Sequence, residues 1–254
     1  MGEIRKPFQG IFNVVHFNWH LYLLSGIVVI LLFAVSFYFH YPIKGYISLL
    51  LLCVLTSILL SLLVSFYVYD ISSLYKLAWL NDAPKNAALQ ILNIHAGFDE
   101  TSVLLRNKYK HAKLVVFDFY DPLTHTEISI KRARKAYPSF PDTQRVTTSA
   151  LPLQHNSVDK IFAIFAAHEI RNTQERVIFF RELKRVLNTS GEIVVTEHLR
   201  DVNNFIAYNI GCFHFYSKKR WLHTFSSAGL QVVKTIKVTP FVTTFILKKN
   251  GNAS

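Results

Sequence analysis

The sequence is poor in the residues that build several common kinds of site. Only two of its 254 residues are cysteines, Cys53 and Cys212. Two cysteines so far apart provide neither a disulfide framework nor the paired spacing of a zinc site. A metal site made from Glu and His stays open, but no ligand spacing supports it. We therefore expect no metal centre.

Acidic residues are also scarce. The chain has 16 Asp and Glu against 28 Lys and Arg, and nearly all of this excess lies after residue 70. A basic domain beside a membrane suits anionic lipid headgroups, since each nearby Lys or Arg adds about 1 kcal/mol of attraction. A solvated basic surface without a special partner explains the charge equally well. Nucleic acid is not expected, because no binding motif accompanies the charge.

Charge is absent from two long runs, residues 21–41 and 46–69. Each run reaches the ~20 apolar residues that a helix needs to cross a bilayer. Only Pro42–Gly45 separates them, so we predict a tight transmembrane hairpin. Two buried helices of a soluble core are the alternative. A cleaved signal peptide is disfavoured, because the first run begins late and a second follows at once.

Basic residues in the short flanks predict the orientation of this hairpin. Arg5 and Lys6 precede the first run, Lys76 and Lys85 follow the second, and the connection holds only Lys44. Both termini should therefore face the cytoplasm, which makes the chain an integral membrane protein with a cytoplasmic domain. The predicted division is a terminal segment (1–20), a hairpin (21–70), a connector (71–87) and a folded domain (88–254).

Strands and helices alternate in the folded domain. The predicted strands are 88–94, 113–119, 145–149, 158–166, 192–196, 230–238 and 241–248. The predicted helices are 100–109, 124–137, a helix capped by Asn172 and ended by Ser190-Gly191, and 217–228. The last two strands are joined so closely that they must pair antiparallel. The pattern predicts an α/β fold with a mostly parallel sheet and an antiparallel edge.

Ligands of open parallel sheets bind at the carboxyl ends of the strands. The polar residues there, in strand order, are Asn93, His95, Gly97 and Asp99; Asp118; Thr147 and Ser149; His168 and Glu169; Glu197 and His198. The last two strand ends each place a carboxylate beside an imidazole. Such pairs can move a proton near neutral pH, although a structural hydrogen-bonding role is an equal possibility for His168 and Glu169.

Three stretches of the domain resemble a known family: ALPLQHNSVDKIFAIFAAHEIRN, FFRELKRVLNTSGEIVVTEHL and WLHTFSSAGLQVV. Their motifs, order and spacing resemble the class I S-adenosylmethionine-dependent methyltransferases, especially the type 11 group. The likeness spans about residues 88–248. It implies a Rossmann-like seven-stranded sheet with a C-terminal antiparallel hairpin, and S-adenosyl-L-methionine as the cofactor.

The resemblance assigns ILNIHAGFDET to the cofactor turn, which in the family has an acidic residue followed by glycines. Here Asn93 stands where the acid usually is, and His95 and Asp99 replace two glycines. Only Gly97 remains. Asn and Asp tolerate left-handed backbone better than most residues, so Asp99 need not disrupt the turn.

The other cofactor contacts implied by the resemblance follow the second and third strands. Asp118 matches the acidic residue that holds the ribose hydroxyls. Thr147, with Ser149 close by, falls where an Asp usually contacts the adenine edge. One of the three acidic contacts of the family is therefore retained.

The resemblance implies in-line transfer of a methyl group to a substrate nucleophile. We expect His168 or His198 to act as general base, oriented by Glu169 or Glu197. The aromatic stretch 203–215 would form a lid or pack on the membrane helices. Membrane helices favour a small lipid-soluble acceptor, with a membrane protein as second choice. A non-catalytic, membrane-tethered binding module is the alternative function.

Overall fold

The computed structural model describes residues 5–81, 89–125 and 127–251. Lys85, and Ala88 at the start of the predicted first strand and domain, lie outside the described residues. Three helices come first: α1 (Gln9–Phe17), α2 (Trp19–Ser36) and α3 (Ile43–Phe66), which continues as a π-helical turn over Tyr67–Ile71. The predicted hairpin thus lies over two observed helices, while sequence patterning did not predict α1.

Two helices are long and apolar enough to cross a membrane: α2, and α3 with its π turn. Their mean hydropathies are 2.1 and 2.8, and only 0% and 6% of these windows are buried. Helices in a soluble core would be mostly covered by protein. Lys44 and Gly45, predicted as hairpin loop, lie in the first turn of α3.

The domain alternates strands and helices as predicted. The strands are β1 (Gln90–His95), β2 (Lys113–Asp118), β3 (Gln144–Arg145), β4 (Val158–Ile164), β5 (Leu187–His198), β6 (Leu230–Thr239) and β7 (Val242–Lys249). The helices are α4 (Ser102–Lys108), α5 (Ile128–Ala136), α6 (Thr173–Val186), α7 (Val202–Tyr208) and α8 (Lys218–Ser227). Short 3-10 helices cover Ala167–Glu169 and Asn209–His214.

The seven strands form one sheet in the order β3-β2-β1-β4-β5-β7-β6. All neighbours are parallel except β7, which pairs antiparallel with both β5 and β6. This is the predicted α/β fold with its C-terminal antiparallel hairpin. β6 forms one edge, and its pairing with β7 shifts register at two points along the strand.

Two predicted boundaries were wrong. The helix α6 does not run to Ser190-Gly191 but ends at Val186, and Gly191 lies inside the long strand β5. A Cβ on Gly191 would come within 2.9 Å of the Asp159 carbonyl oxygen, so this glycine permits close strand packing and does not cap a helix. The third strand has only two residues, because the chain then reverses in a bridge between Thr147 and Ala150.

The start of the connector packs under the domain. Leu74, Leu77 and Leu80 are all buried, with exposures of 1%, 2% and 7%. Leu74 lies in a cluster with Val64 of α3 and Val242 of β7. The described residues of the predicted connector, 71–81, therefore pack against the domain. The beginning of β7 and the end of α3 are therefore neighbours.

Candidate active site

The turn after β1 is held by hydrogen bonds among its own side chains. The Asn93 amide donates to Thr101 Oγ1 at 3.0 Å and to Ser102 Oγ at 2.8 Å. Asp99 Oδ1 accepts from the backbone N–H groups of Thr101 and Ser102, both at 2.9 Å. Asp99 therefore caps the start of α4, because its carboxylate satisfies N–H groups that have no partner within the helix.

Gly97 is required by both backbone and space. Its φ is +96°, a conformation that L side chains rarely adopt, and a Cβ would come within 2.5 Å of Arg134 Nη1. The side chain of Arg134, from α5, thus lies directly over the turn. The close approach that a glycine permits is here used by a guanidinium.

His95 is buried beside this turn. Its Nδ1 accepts from the Gly97 N–H at 3.1 Å, which leaves the proton of a neutral ring on Nε2. Burial lowers the pKa of His95, an effect that the nearby Asp99 and Asp118 oppose. Its Nε2 lies 3.9 Å from Asp99 Oδ2, and neither atom has a hydrogen-bond partner among the described residues.

Asp118 ends β2 and is 3% exposed. Its Oδ1 accepts from the Tyr120 N–H at 2.9 Å, and its Oδ2 accepts from Arg134 Nη1 at 2.5 Å. The same guanidinium lies 4.4 Å from the centre of the Tyr120 ring. The carboxylate predicted to hold a ribose is therefore in place, and an arginine from α5 occupies it.

Thr147 and Ser149 lie on the surface after β3, with their hydroxyl oxygens 3.4 Å apart. The buried residue between them, Thr148, donates from Oγ1 to Glu175 Oε1 at 2.7 Å. Thr147 and Ser149, predicted near the adenine edge, thus both follow β3, and neither makes a hydrogen bond to Asp118 among the described residues.

The ends of β4 and β5 bring His168 between two buried carboxylates. Its Nδ1 lies 2.7 Å from Glu197 Oε2 and its Nε2 lies 3.0 Å from Glu169 Oε1. The backbone N–H of His168 also donates to Glu197 Oε1 at 3.2 Å. Burial opposes protonation of His168, but the charges and hydrogen bonds of Glu197 and Glu169 raise its pKa well above the usual value. The ring is an imidazolium held by two acceptors.

Three residues that sequence reasoning did not select extend this cluster to the surface: Glu127, His214 and Arg171. His214 Nε2 lies 3.1 Å from Glu127 Oε2 and 4.0 Å from Glu169 Oε1. Arg171 donates to the His214 carbonyl oxygen at 2.7 Å and contacts its ring. Burial would raise the pKa of Glu127, but His214 outweighs it and lowers that pKa to about 2.

His168, Glu169 and His214 have ligand atoms within 4.8 Å of one another, as a metal site would require. A metal needs neutral imidazole, however, and both nitrogens of His168 are engaged by carboxylates. The Arg171 guanidinium adds a further positive charge against His214. The donor set therefore fits a proton network better than a cation.

His198, the other predicted histidine, has both ring nitrogens in hydrogen bonds. Its Nε2 lies 2.7 Å from the Tyr69 hydroxyl, and its Nδ1 lies 3.0 Å from the Phe241 carbonyl oxygen. The ring is stacked between Phe165 and Phe215, at 5.1 and 4.9 Å. Burial lowers the pKa of His198 to about 4. These contacts give it a packing role between the domain and the end of α3.

Helix α1 covers the cofactor turn, through contacts that centre on Glu100. Its carboxylate accepts from Arg5 at 2.6 Å, from Tyr75 at 2.6 Å and from Asn13 of α1 at 3.3 Å. Asn13 Oδ1 also accepts from the Tyr137 hydroxyl at 2.7 Å. Sequence periodicity does not predict contacts between residues so distant along the chain. The opposite charges of Arg5 and Glu100 were the one feature of the sequence consistent with this contact.

Residues 94–195 match the family described as a methyltransferase domain, type 11. No curated protein sequence matches the chain. Among solved structures, an O-methyltransferase family 2 protein from Planctomyces limnophilus, in complex with apigenin, has a TM-score of 0.51 at 13% identity, over 76% of this chain and 61% of that one. At that identity the likeness is one of fold.

Two smaller structures are also similar. A SAM-dependent methyltransferase from Aquifex aeolicus has a TM-score of 0.47 at 18% identity, over 63% of this chain and 81% of that one. A SAM-dependent methyltransferase from Methanosarcina mazei has a TM-score of 0.46 at 14% identity, over 66% of this chain and 99% of that one. Residues 94–195 therefore carry a methyltransferase domain of type 11, which lies within the seven-stranded sheet and is preceded in the chain by two apolar helices.

Proposed function

We propose that the chain is a membrane-anchored S-adenosylmethionine-dependent methyltransferase that acts on a lipid-soluble acceptor. The observation that carries this proposal is the Glu197–His168–Glu169 cluster at the carboxyl ends of β4 and β5, whose two carboxylates are buried at the same edge of the sheet as Asp118. A parallel sheet places ligands at this edge. Buried charge without a function would be costly to retain.

The residues around the turn fit the cofactor once Arg134 has moved. Asp118 would hold the ribose hydroxyls, and Gly97 would let the cofactor approach the backbone. The two unpartnered atoms, His95 Nε2 and Asp99 Oδ2, would serve the carboxylate and the ammonium of its methionine part. Arg134 can leave, because its side chain is long, is 20% exposed, and is held by Asp118 and the Tyr120 ring.

The bound cofactor supplies an electrophilic methyl group on a sulfonium. The chain's own residues align the acceptor and remove its proton. His168 is already protonated, so it does not serve as the base. We assign that role to Glu169, whose Oε2 is outside the hydrogen bonds to His168. His168 and Glu197 then act as positioning residues that hold the Glu169 carboxylate.

The alternative is a tethered binding module that no longer uses a cofactor. It is favoured by one specific observation, the Arg134 side chain that occupies both Gly97 and Asp118. In that case Arg134 would be a permanent substitute for the cofactor and not a displaceable one. The two functions differ in whether the cofactor can enter.

Calorimetric titration of S-adenosylmethionine into the detergent-solubilised full chain separates these functions. We expect micromolar binding that is lost in Asp118→Ala. Arg134→Ala should bind about tenfold more tightly, because the cofactor no longer competes with an ion pair for Asp118. The exposed neighbour Lys131→Ala is the matched control and should bind as the wild type does. Absence of binding in wild type and Arg134→Ala, with both proteins folded, would reject the methyltransferase function.

The chemical step is tested by transfer of a radiolabelled methyl group to lipids extracted from the source membranes. Glu169→Gln keeps the shape of the side chain but cannot accept a proton. We expect it to bind the cofactor normally and to lose about 10²-fold or more in turnover. Unchanged turnover in Glu169→Gln would remove this residue from the role of base.

A further inference from the structure

The mouth of the acid–histidine cluster is formed where two segments meet. One is formed by residues 121–125 and 127–128, before and at the start of α5, and the other comprises α7 and the 3-10 helix after it, 202–214. They join through Glu127 and His214, whose side chains are 35% and 31% exposed. The cluster therefore opens to the surface between these two segments.

Both segments expose large apolar side chains around this charged mouth. We call these side chains the rim. Its members are Leu123, Ile128, Val202, Phe205, Ile206, Ile210 and Phe213. Leu123 and Ile210 are 87% and 82% exposed, respectively. Phe205 and Phe213 are in ring contact, with centroids 6.2 Å apart. Large apolar side chains exposed together beside a polar site are typical of contact with a partner or a membrane.

Each side of the mouth is also linked to one of the apolar helices. On one side the link comes from α5, which follows the first segment: its Arg132 donates to the Phe17 carbonyl oxygen at 2.6 Å and lies 2.7 Å from His20 Nδ1, at the start of α2. On the other side, the Asn209 amide donates to Ser57 Oγ of α3 at 2.7 Å. A hydrogen bond thus links each side of the mouth to α2 or α3.

The lengths of α2 and α3 give the depth of the contact between Asn209 and Ser57. At 1.5 Å per residue, the 18 residues of α2 rise about 27 Å from the connection between the two helices, close to the ~30 Å of a bilayer core. The residue of α3 level with Trp19 is then Leu60, and Ser57 lies about 5 Å nearer that connection. Asn209 therefore reaches about 5 Å below the level of Trp19, which is the depth of an interfacial helix.

We infer that the rim is inserted into the surface of the bilayer, so that the acceptor enters the site sideways from the membrane. This inference rests on the proposed function. The acceptor is an amphiphile whose polar head carries the nucleophile. Its head passes between Glu127 and His214 towards Glu169, while its apolar tail stays among the rim side chains and the lipid. The occupant of the apolar face is thus the lipid bilayer itself.

The depth of the rim can be measured on the full chain in phosphatidylcholine–phosphatidylglycerol vesicles. A nitroxide is attached to single cysteines at Ile210, Phe213, Ile30 and Val233 in a Cys53→Ala, Cys212→Ala background. Ile30 lies in α2 and is 68% exposed, whereas Val233 lies on β6 and is 48% exposed. We expect the labels at Ile210, Phe213 and Ile30 to lose contact with a water-soluble nickel relaxant, and the label at Val233 to keep it.

The outcomes distinguish membrane anchoring by α2 and α3 from insertion of the rim. Protection at Ile30 without protection at Ile210 and Phe213 would overturn the rim insertion and leave the anchoring intact. Exposure at all four positions would reject the anchoring, and the inference with it.

The route of the acceptor needs a second measurement. Phe213→Asp should bind the cofactor normally but lose methyl transfer to membrane lipid extract in the same vesicles. Normal transfer in this variant would overturn lateral entry. Absence of transfer in the wild type would instead reject the proposed function.

Discussion

Two histidines at adjacent strand ends show how surroundings decide the state of one residue type. His168 lies between two carboxylates, which raise its pKa well above the usual value although burial opposes this. His198 lies between two aromatic rings, and burial lowers its pKa to about 4. The surroundings of the first favour the protonated ring and those of the second the neutral ring, so they contribute to stability in opposite pH ranges.

The direction in which His198 makes the free energy of unfolding depend on pH follows from its pKa values in the folded and unfolded states. The folded value, about 4, lies below the ordinary 6.5, so the folded state binds fewer protons between these limits. Its contribution to stability is complete above pH 6.5 and is lost as the pH falls towards 4, by at most about 1.4 kcal/mol per pH unit. We expect the unfolding midpoint of His198→Gln to depend less on pH over this range than that of the wild type. His111→Gln, on the surface, should keep the wild-type slope, and equal slopes in all three proteins would refute this account.

The opposite linkage holds for His168. Its contribution is complete below pH 6.5 and is lost as the pH rises through its raised pKa.

Single residues were predictable where their role depends on local geometry. Asn172 accepts from the N–H groups of Gln174 and Glu175, as its place before α6 indicated. The position of Asp118 at the end of β2 was confirmed as well. Its partner Arg134 was not predictable, because it comes from the next helix and the sequence does not specify how a long side chain crosses a loop. Catalysis by Glu169 stays a prediction, as do the positioning roles of His168 and Glu197, whereas the contacts of His198 give it a packing role.

At the scale of elements, the sequence predicted strands better than helix ends. A continuous apolar run correctly predicted β4. The short link between β6 and β7 correctly predicted their antiparallel pairing. The predicted end of α6 was wrong because a glycine after an amphipathic segment is commonly a helix cap. Here Gly191 instead permits close packing in β5. Helix α1 escaped prediction because tertiary contacts with Glu100 and Tyr137 stabilise it.

The docking of α1 should depend on the charge of Glu100. Burial raises the pKa of this carboxyl group, and Arg5 opposes the shift, so the pair is a partly buried interaction that one substitution can break. We expect Glu100→Gln to speed hydrogen exchange of the α1 amides by roughly tenfold to a hundredfold, because about 1.5–3 kcal/mol is lost with a hydrogen bond to a charged group.

Glu192→Gln is the matched control for this prediction, because Glu192 pairs with Lys160 and Lys248 on β4 and β7, away from α1. Its α1 amides should exchange as in the wild type. Unchanged exchange in Glu100→Gln would show that apolar contacts alone, such as Phe17 on Phe98, hold α1 in place.

At the scale of the whole molecule, the hairpin should place its connection and the domain on opposite sides of a membrane. Tyr41 is 90% exposed in the connection, and Gln231 is exposed on β6. Single cysteines at these two positions should react with an impermeant maleimide from opposite faces of sealed vesicles. The basic flanks further predict that the label at Gln231 reacts from the cytoplasmic face. Labelling of both positions from one face would contradict a spanning hairpin.

A chain confined to a membrane meets its own copies often and in a fixed orientation, which makes the open edge of a sheet hazardous. The strand β6 is such an edge, with unpaired backbone groups along one side. It carries exposed Lys234 and Lys237, and its two register shifts distort the strand. Charge and irregularity on an edge strand prevent another strand from adding to it. In the proposed membrane-anchored state, the β6–β7 hairpin that completes the sheet would therefore also protect the protein from self-association in the plane of the bilayer.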